Sequence, residues 1–295
     1  MKDNRKIKYI NADGMSVTFG ADFSPFVLND CDGIYQMESN VITSENSMTD
    51  GATYQGSNIK MRNIVLTVSA KDDHVKNREK LYRLFKPKSQ GTFVYIEDGA
   101  EKQIGCYVEN IKIDPVKNCR TAVISLLCPE PYFENVADIT VEIANWQSLF
   151  EFEFETFGAG IEFGTKSQAK SKTIENDCAD YTGIEIVISA ESTVKNPAIY
   201  HSANGSADME FIKIGTDAKP LTLNGGDRLV ITTHTNNKHV YLERDGNLTE
   251  VNAYLDMDSE FLQLRNGRNV FSFSADTGVQ YMNVAIVFRY KYLGV

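Results

Sequence analysis

Along most of this chain hydrophobic and polar residues alternate with a period of two, the signature of strands with one buried face. In the first half the pattern predicts strands at Ser16–Phe19, Ile64–Ser69, Thr92–Ile96, Ile104–Ile113 and Ala122–Cys128. In the second half it predicts Leu149–Glu155, Ile184–Ser189, Phe211–Ile214, Leu229–Thr233, Val240–Leu242, Val270–Ser274 and Val284–Tyr290. Turn-forming clusters such as Asn224-Gly225-Gly226-Asp227 and Arg244-Asp245-Gly246-Asn247 separate them.

One segment has a different period. Asp72–Lys86 opens with acidic residues and closes with basic ones, the order that a helix dipole favours. Leu81, Leu84 and Phe85 share one helical face, and Pro87 stops the helix. The two prolines of Cys128-Pro129-Glu130-Pro131 force extended backbone and mark a boundary. The expected architecture is mainly β, with two domains at 1–135 and 136–295. The first is a β-sandwich or barrel-like domain with one α-helix, and the second is an all-β sandwich.

Composition narrows the classes of function. The chain has 295 residues, 42% hydrophobic and 24% charged, enough apolar material for two cores. Its net charge of −10 argues against nucleic acid or an anionic membrane as the main partner. No stretch approaches the roughly 18–20 apolar residues that cross a bilayer. Lys2, Arg5, Lys6 and Lys8 precede no apolar run, so the expectation is a soluble protein made in the cytosol, with no signal peptide. Cys31, Cys106, Cys119, Cys128 and Cys178 form no CxxC and read as reduced structural thiols.

Catalytic signatures are absent: there is no P-loop, HExxH, GxSxG or EF-hand loop. Gly158-Ala159-Gly160 and Gly164 have the wrong spacing for a phosphate cradle. Glu151, Glu153 and Glu155 share one strand face, as a glycosidase carboxylate pair would. Phe152 and Phe154 alternate with them, which is the ordinary pattern of a half-buried strand. Asp256, Asp258 and Glu260 have oxygen chemistry suited to Ca²⁺ without the turn or the full ligand set. His234 and His239 flank a predicted Asn236-Asn237 turn and lack a third metal ligand. A single Trp146 is a thin platform for sugar stacking. No catalytic, cofactor-binding or metal-ligating residue is assigned, and no cofactor.

A further set of residues points elsewhere. Asp50-Gly51, Tyr54, Gly56-Ser57, Arg62, Ile64 and Leu66 are followed by Arg78, Leu81, Leu84-Phe85 and Pro87. Gly91, Phe93, Tyr95 and Cys106–Glu109 come next, and Cys128-Pro129 with Pro131-Tyr132-Phe133 closes the series. In this order and at this spacing the set resembles the siphophage-type distal tail protein family. A looser match runs from Leu221 through Asn224-Gly225, Asp227, Gly246 and Tyr254 to Phe271, whereas 157–176 resembles nothing in the family.

The resemblance implies a structural subunit, not an enzyme. It implies a homohexameric ring at the distal end of a tail tube, made by the N-terminal domain, with a galectin-like or carbohydrate-module-like C-terminal sandwich projecting outward. The implied partners are other copies of itself, the tail tube protein and the tail-associated hub protein, with a receptor-binding protein or cell-wall glycan at the outward domain. DNA would pass the ring lumen without specific binding, and no membrane is implied. The alternative is a carbohydrate-binding surface-recognition protein. The residues implied in assembly are Gly51, Tyr54, Gly56, Ser57, Arg62, Leu81, Phe85, Pro87, Gly91, Pro129, Pro131 and Tyr132. Gly56-Ser57 would form a turn feeding the Ile64–Ser69 strand, and Arg62 would pin a neighbouring carboxylate or carbonyl.

Overall fold

The structure is a computed structural model and describes residues 5–20, 25–45, 48, 50–71, 73–114, 120–144, 146–147, 165–166, 171–177, 180–206 and 208–295. The chain forms two compact units, one of Met1–Val136 with Lys291–Val295 and the other of Ala137–Tyr290.

In the first unit the strands are β1 (Lys6–Asn11), β2 (Ser16–Gly20), β3 (Phe26–Asp32), β4 (Ser39–Glu45), β5 (Ala52–Ile59) and β6 (Arg62–Ala70). After helix α1 (His74–Leu84) come β7 (Gln90–Glu97), β8 (Ala100–Ile113), β9 (Thr121–Cys128) and β10 (Phe133–Asn135). Strands run in the order β8-β7-β1-β2-β3-β6-β9, and β9 pairs back onto β8, so seven strands close into a barrel. Closure pairs the strand edges all round except along most of the β2–β3 joint. Every second residue points inward: Ile7 and Tyr9, Ile64, Leu66 and Val68, and Ala122, Ile124 and Leu126 are all buried in one core. The weakest joint is β2–β3, a parallel contact at the single pair Gly20↔Val27.

Helix α1 completes that core. Leu81, Leu84 and the following Phe85 are buried, and the Phe85 ring stacks on Tyr9 at 4.2 Å. Burying a ring of that size contributes about 1.5–3 kcal/mol. The helix is shorter than the predicted Asp72–Lys86 and begins at His74. Asp73 caps it by accepting the Lys76 N–H, and no acidic residue lies in the first turn. The acidic opening of this segment thus works as a cap, before the helix starts.

Strands β4 and β5 pair only with each other, in a two-stranded sheet of their own. Nearly every residue in them is exposed. Gly56 and Ser57, predicted to form a turn, lie instead within β5, where Gly56 pairs with Ile42 beside a register shift. A glycine in a strand interior marks such an irregularity as readily as a turn.

The second unit has two main sheets. One runs Ile139–Ala144, Met282–Phe288, Glu185–Ala190, Arg228–His234, Asn237–Arg244, Asn247–Glu250. The other runs Ser171–Asn176, Gly267–Thr277, Val194–Ala203, Glu210–Lys213. Ile186, Ile231 and Val284 from the first share a core with Ile174, Ile199, Ile212 and Phe271 from the second. Side chains from two inner faces thus form one sandwich core. The expectation placed all of 136–295 in this domain, but Lys291–Tyr292 pairs with β10 through Phe133↔Tyr292 and Glu134↔Lys291. The last five residues therefore belong to the first unit.

Candidate assembly site

Arg62 is the most constrained of the predicted residues. It starts β6, and its side chain is almost wholly buried. Nε donates to Pro131 O at 3.0 Å, and Nη1 donates to Gly33 O at 2.7 Å, Ile34 O at 2.9 Å and Gln36 O at 3.1 Å. Nη2 reaches Leu293 O and Met37 Sδ, and the guanidinium lies 5.0 Å from the centre of the Phe133 ring. Burial lowers its pKa from the usual arginine value, while the surrounding carbonyl oxygens supply acceptors in place of water. The planar fork joins three chain segments: 33–37 ahead of β4, Pro131 ahead of β10, and Leu293 just past the strand Lys291–Tyr292. Lysine, a point donor, cannot make this set. The acceptors are backbone carbonyls with no side-chain signature, which is why sequence points to Arg62 but not to its partners.

Gly33 belongs to the same junction. Its φ is 85°, and an added Cβ would lie 1.9 Å from Asn63 O, so only glycine fits there. Sequence reasoning missed it, because one glycine among many does not announce a close approach.

The other predicted residues separate into two groups. Leu81, Phe85 and Gly91 are buried core positions, and Pro131 is buried beside Arg62. A Cβ on Gly91 would lie 2.4–2.6 Å from the Tyr9 ring atoms, so Gly91 makes room for that ring. Pro87 and Pro129 are exposed, and Tyr132 is half-buried with Lys291 Nζ 5.3 Å from its ring centre. Gly51, Tyr54, Gly56 and Ser57 belong to the projecting hairpin or its edge. There the Tyr54 hydroxyl bonds Ser57 Oγ at 2.8 Å. Tyr54, Val41 and Ile42 are each more than half exposed.

The second unit carries a polar cavity of about 390 Å³, lined by His201, Glu210, Phe211, Asp258, Glu260 and Arg265 among others. His201 is buried and stacked on Phe271 at 4.6 Å. Its Nε2 lies 2.9 Å from Asn269 Oδ1, and its Nδ1 lies 3.1 Å from Glu210 Oε2. The Asn269 amide donates to the carbonyls of Arg265 and Gly267, which leaves Oδ1 as the acceptor and places a proton on Nε2. Burial holds the His201 pKa below its ordinary value, and the Arg265 guanidinium adds to the effect. Arg265 also pairs with Glu210. With that proton on Nε2, Nδ1 is an acceptor facing the Glu210 carboxylate, so this contact is a hydrogen bond only when one of the two gains a further proton. Among the described residues no hydroxyl or thiol nucleophile is paired with His201.

Among the described residues no group of three or more His, Cys, Asp or Glu side chains could hold a metal ion. Asp258 and Glu260 face the polar cavity. His239 pairs with Glu250, not with His234. Cys31, Cys106 and Cys128 are free thiols. No described helix is long and apolar enough to cross a membrane. Strand Leu149–Glu155 with its three glutamates, the glycines of 158–164, Cys119, Cys178 and most of 157–176 lie outside the described residues.

Comparison with known proteins gives this arrangement a family. Residues 20–128 match the phage tail protein RIFT-related domain, and residues 177–292 match the C-terminal domain of the siphovirus-type tail component. The chain belongs to the siphophage distal tail protein family. The fold of this distal tail protein follows the crystal structure of SPP1 Dit, a paradigm of the hub adsorption apparatus in phages that infect Gram-positive bacteria. That likeness covers 97% of this chain and 99% of the other, with a TM-score of 0.68 at 12% identity. It also follows the phage P2 baseplate in its activated conformation with Ca, over 99% of both chains, with a TM-score of 0.56 at 8% identity. The same baseplate with Sr gives 0.55, again at 8% identity. At such identities the likeness speaks for the fold. No curated protein sequence matches. The distal tail protein is a structural component of a phage tail or baseplate.

Proposed function

We propose that this protein forms a hexameric ring at the distal end of a tail tube, joining the tube to the tail-tip hub and the receptor-binding apparatus. The observation that carries the reading is the β4–β5 hairpin. A two-stranded sheet with both faces in water gains little stability of its own. Its exposed Val41, Ile42 and Tyr54 would be covered in an assembly. In this reading the first unit builds the ring, and Ala137–Tyr290 carries a receptor-binding protein or meets cell-wall glycan. The subunit assembles in the bacterial cytoplasm and ends at the virion tail tip. A net charge of −10 suits a lumen that lets DNA pass without gripping it. The protein acts without catalysis.

The test is the mass of the purified chain across a concentration series, alone and with tail tube protein, with negative-stain images of large species. Rings of six subunits are expected. A monomer under every condition, tube protein included, would refute the ring. A second reading, carbohydrate recognition, draws on the polar cavity with Phe211 at its wall, and a glycan-binding screen of the wild type and Glu210→Gln checks it.

A further inference from the structure

Two surfaces of the first unit complement each other and lie at opposite ends of one ladder. Strands β3 and β6 pair from Phe26↔Ala70 at one end to Asp32↔Val65 at the other. The hairpin lies between Asp32 and Arg62 in the chain, so it springs from the second end. Helix α1 follows Ala70, and a groove of about 850 Å³ beside it takes in Pro25 and α1 residues, so the groove belongs to the first end. At ~3.3 Å per residue the ladder separates the two by about 20 Å.

The surfaces also differ in charge. From Ser39 to Ile59 there is no lysine or arginine, and the acids Glu45 and Asp50 lie at the far end of the hairpin. Both are exposed, and Met48 beside them is 90% exposed. The groove presents Lys76, Lys80 and Arg83 around the apolar Met15 and Leu84. Asp73 and Glu79 also line it, but the Asp73 carboxylate is already engaged as the helix cap. Lys76 and Arg83 have no ion-pair partner among the described residues.

We propose that the acidic far end of the β4–β5 hairpin of one copy seats in the basic groove beside α1 of the next copy. The inference rests on the ring reading and assigns its contact. Two different patches at opposite ends of one subunit make a heterologous interface, which closes into a ring when the rotation permits. Opposite charge steers the encounter and fixes its register, while Met48 meets the apolar floor.

Charge exchange tests the contact in the full-length chain. Glu45→Lys with Asp50→Lys makes the hairpin basic, and Lys76→Glu with Lys80→Glu and Arg83→Glu makes the groove acidic. Each variant alone sets like charges against each other and is expected to run at the monomer mass of 33.1 kDa under conditions where the wild type forms rings. A one-to-one mixture restores both attractions in alternation, so ring mass returns; a folding defect would not be rescued by mixing. Carbodiimide cross-linking of mixed light and isotope-labelled wild type should join peptides holding Glu45 or Asp50 to peptides holding Lys76 or Lys80 across copies. If the wild type forms rings while both variants also do so alone, and no such cross-link appears, this contact is overturned and the ring stands. If the wild type never leaves the monomer, with or without tube protein, both readings fall together.

Discussion

Replacing Arg62 by alanine removes a guanidinium that serves five carbonyl oxygens, those of Gly33, Ile34, Gln36, Pro131 and Leu293. The side chain is 4% exposed, so the space left behind is walled by backbone, not open to bulk solvent. Each buried acceptor that loses its donor costs about 1–3 kcal/mol, and water entering the vacated volume recovers part of that. Five acceptors at the lower end of that range, less what water recovers, make about 3–5 kcal/mol the expected loss. At ~2–4 °C per kcal/mol for a protein of this size, the first unit should melt about 6–20 °C lower. Arg62→Lys should recover less than half, since one ammonium cannot follow the fork. Urea unfolding followed by near-ultraviolet circular dichroism gives the free energy, and hydrogen exchange gives its location. Peptides covering 33–37 and 291–295 should lose protection in Arg62→Ala, while those from the Arg228–His234 ladder keep theirs. A change below about 0.5 kcal/mol, the range of ordinary surface substitutions, would refute the clamp.

Two further outcomes follow from other contacts. Asp227 accepts from Arg244 through Nε and Nη2 and from the Asn224 N–H, and its pKa is lowered chiefly by the Arg244 hydrogen bond. A lowered carboxylate binds fewer protons folded than unfolded, so its contribution is complete above about pH 4 and fades as pH falls through the folded value. Asp227→Asn should therefore cost about 1–2 kcal/mol at neutral pH and flatten the acid limb of the stability profile in the second unit, an allowance made for the partly exposed arginine; an unchanged acid limb would count against the pair. Gly91→Ala drives a methyl into the Tyr9 ring and should cost about 1–3 kcal/mol in chemical denaturation, while Gly99→Ala, with open space at its Cβ, reports only the strain of its positive φ.

Residues that alternate on a buried face were the legible part of the fold. The strand predicted at Ile64–Ser69 lies in β6, Ile104–Ile113 in β8 and Ala122–Cys128 in β9, because their apolar sets fill the barrel. Strands β4 and β5 went unread, since a hairpin with both faces in water has no alternation to display. Val194–Ala203 was also missed: Pro197 inside it reads as a strand breaker, yet the strand pairs with Gly267–Thr277 along nearly its whole length. In the same way Arg62 could be singled out by the family resemblance, whereas its partners are main-chain oxygens. The return of Lys291–Tyr292 to β10 is a tertiary event that two residues of local sequence cannot announce.

That return changes what kind of object the second unit is. Glu134 and Lys291 face each other on paired strands, so the chain leaves the first unit and re-enters it at neighbouring positions. Topologically, Ala137–Tyr290 occupies the place of a hairpin loop that has grown to the size of a domain. Such a loop can be exchanged, enlarged or cut at an exposed turn without severing the body that carries it. A pull on it is divided between two covalent strands whose far ends are held by the same arginine, through Pro131 on one side and Leu293 on the other. A chain built this way can vary the inserted module while the barrel that carries it keeps one sequence of strands.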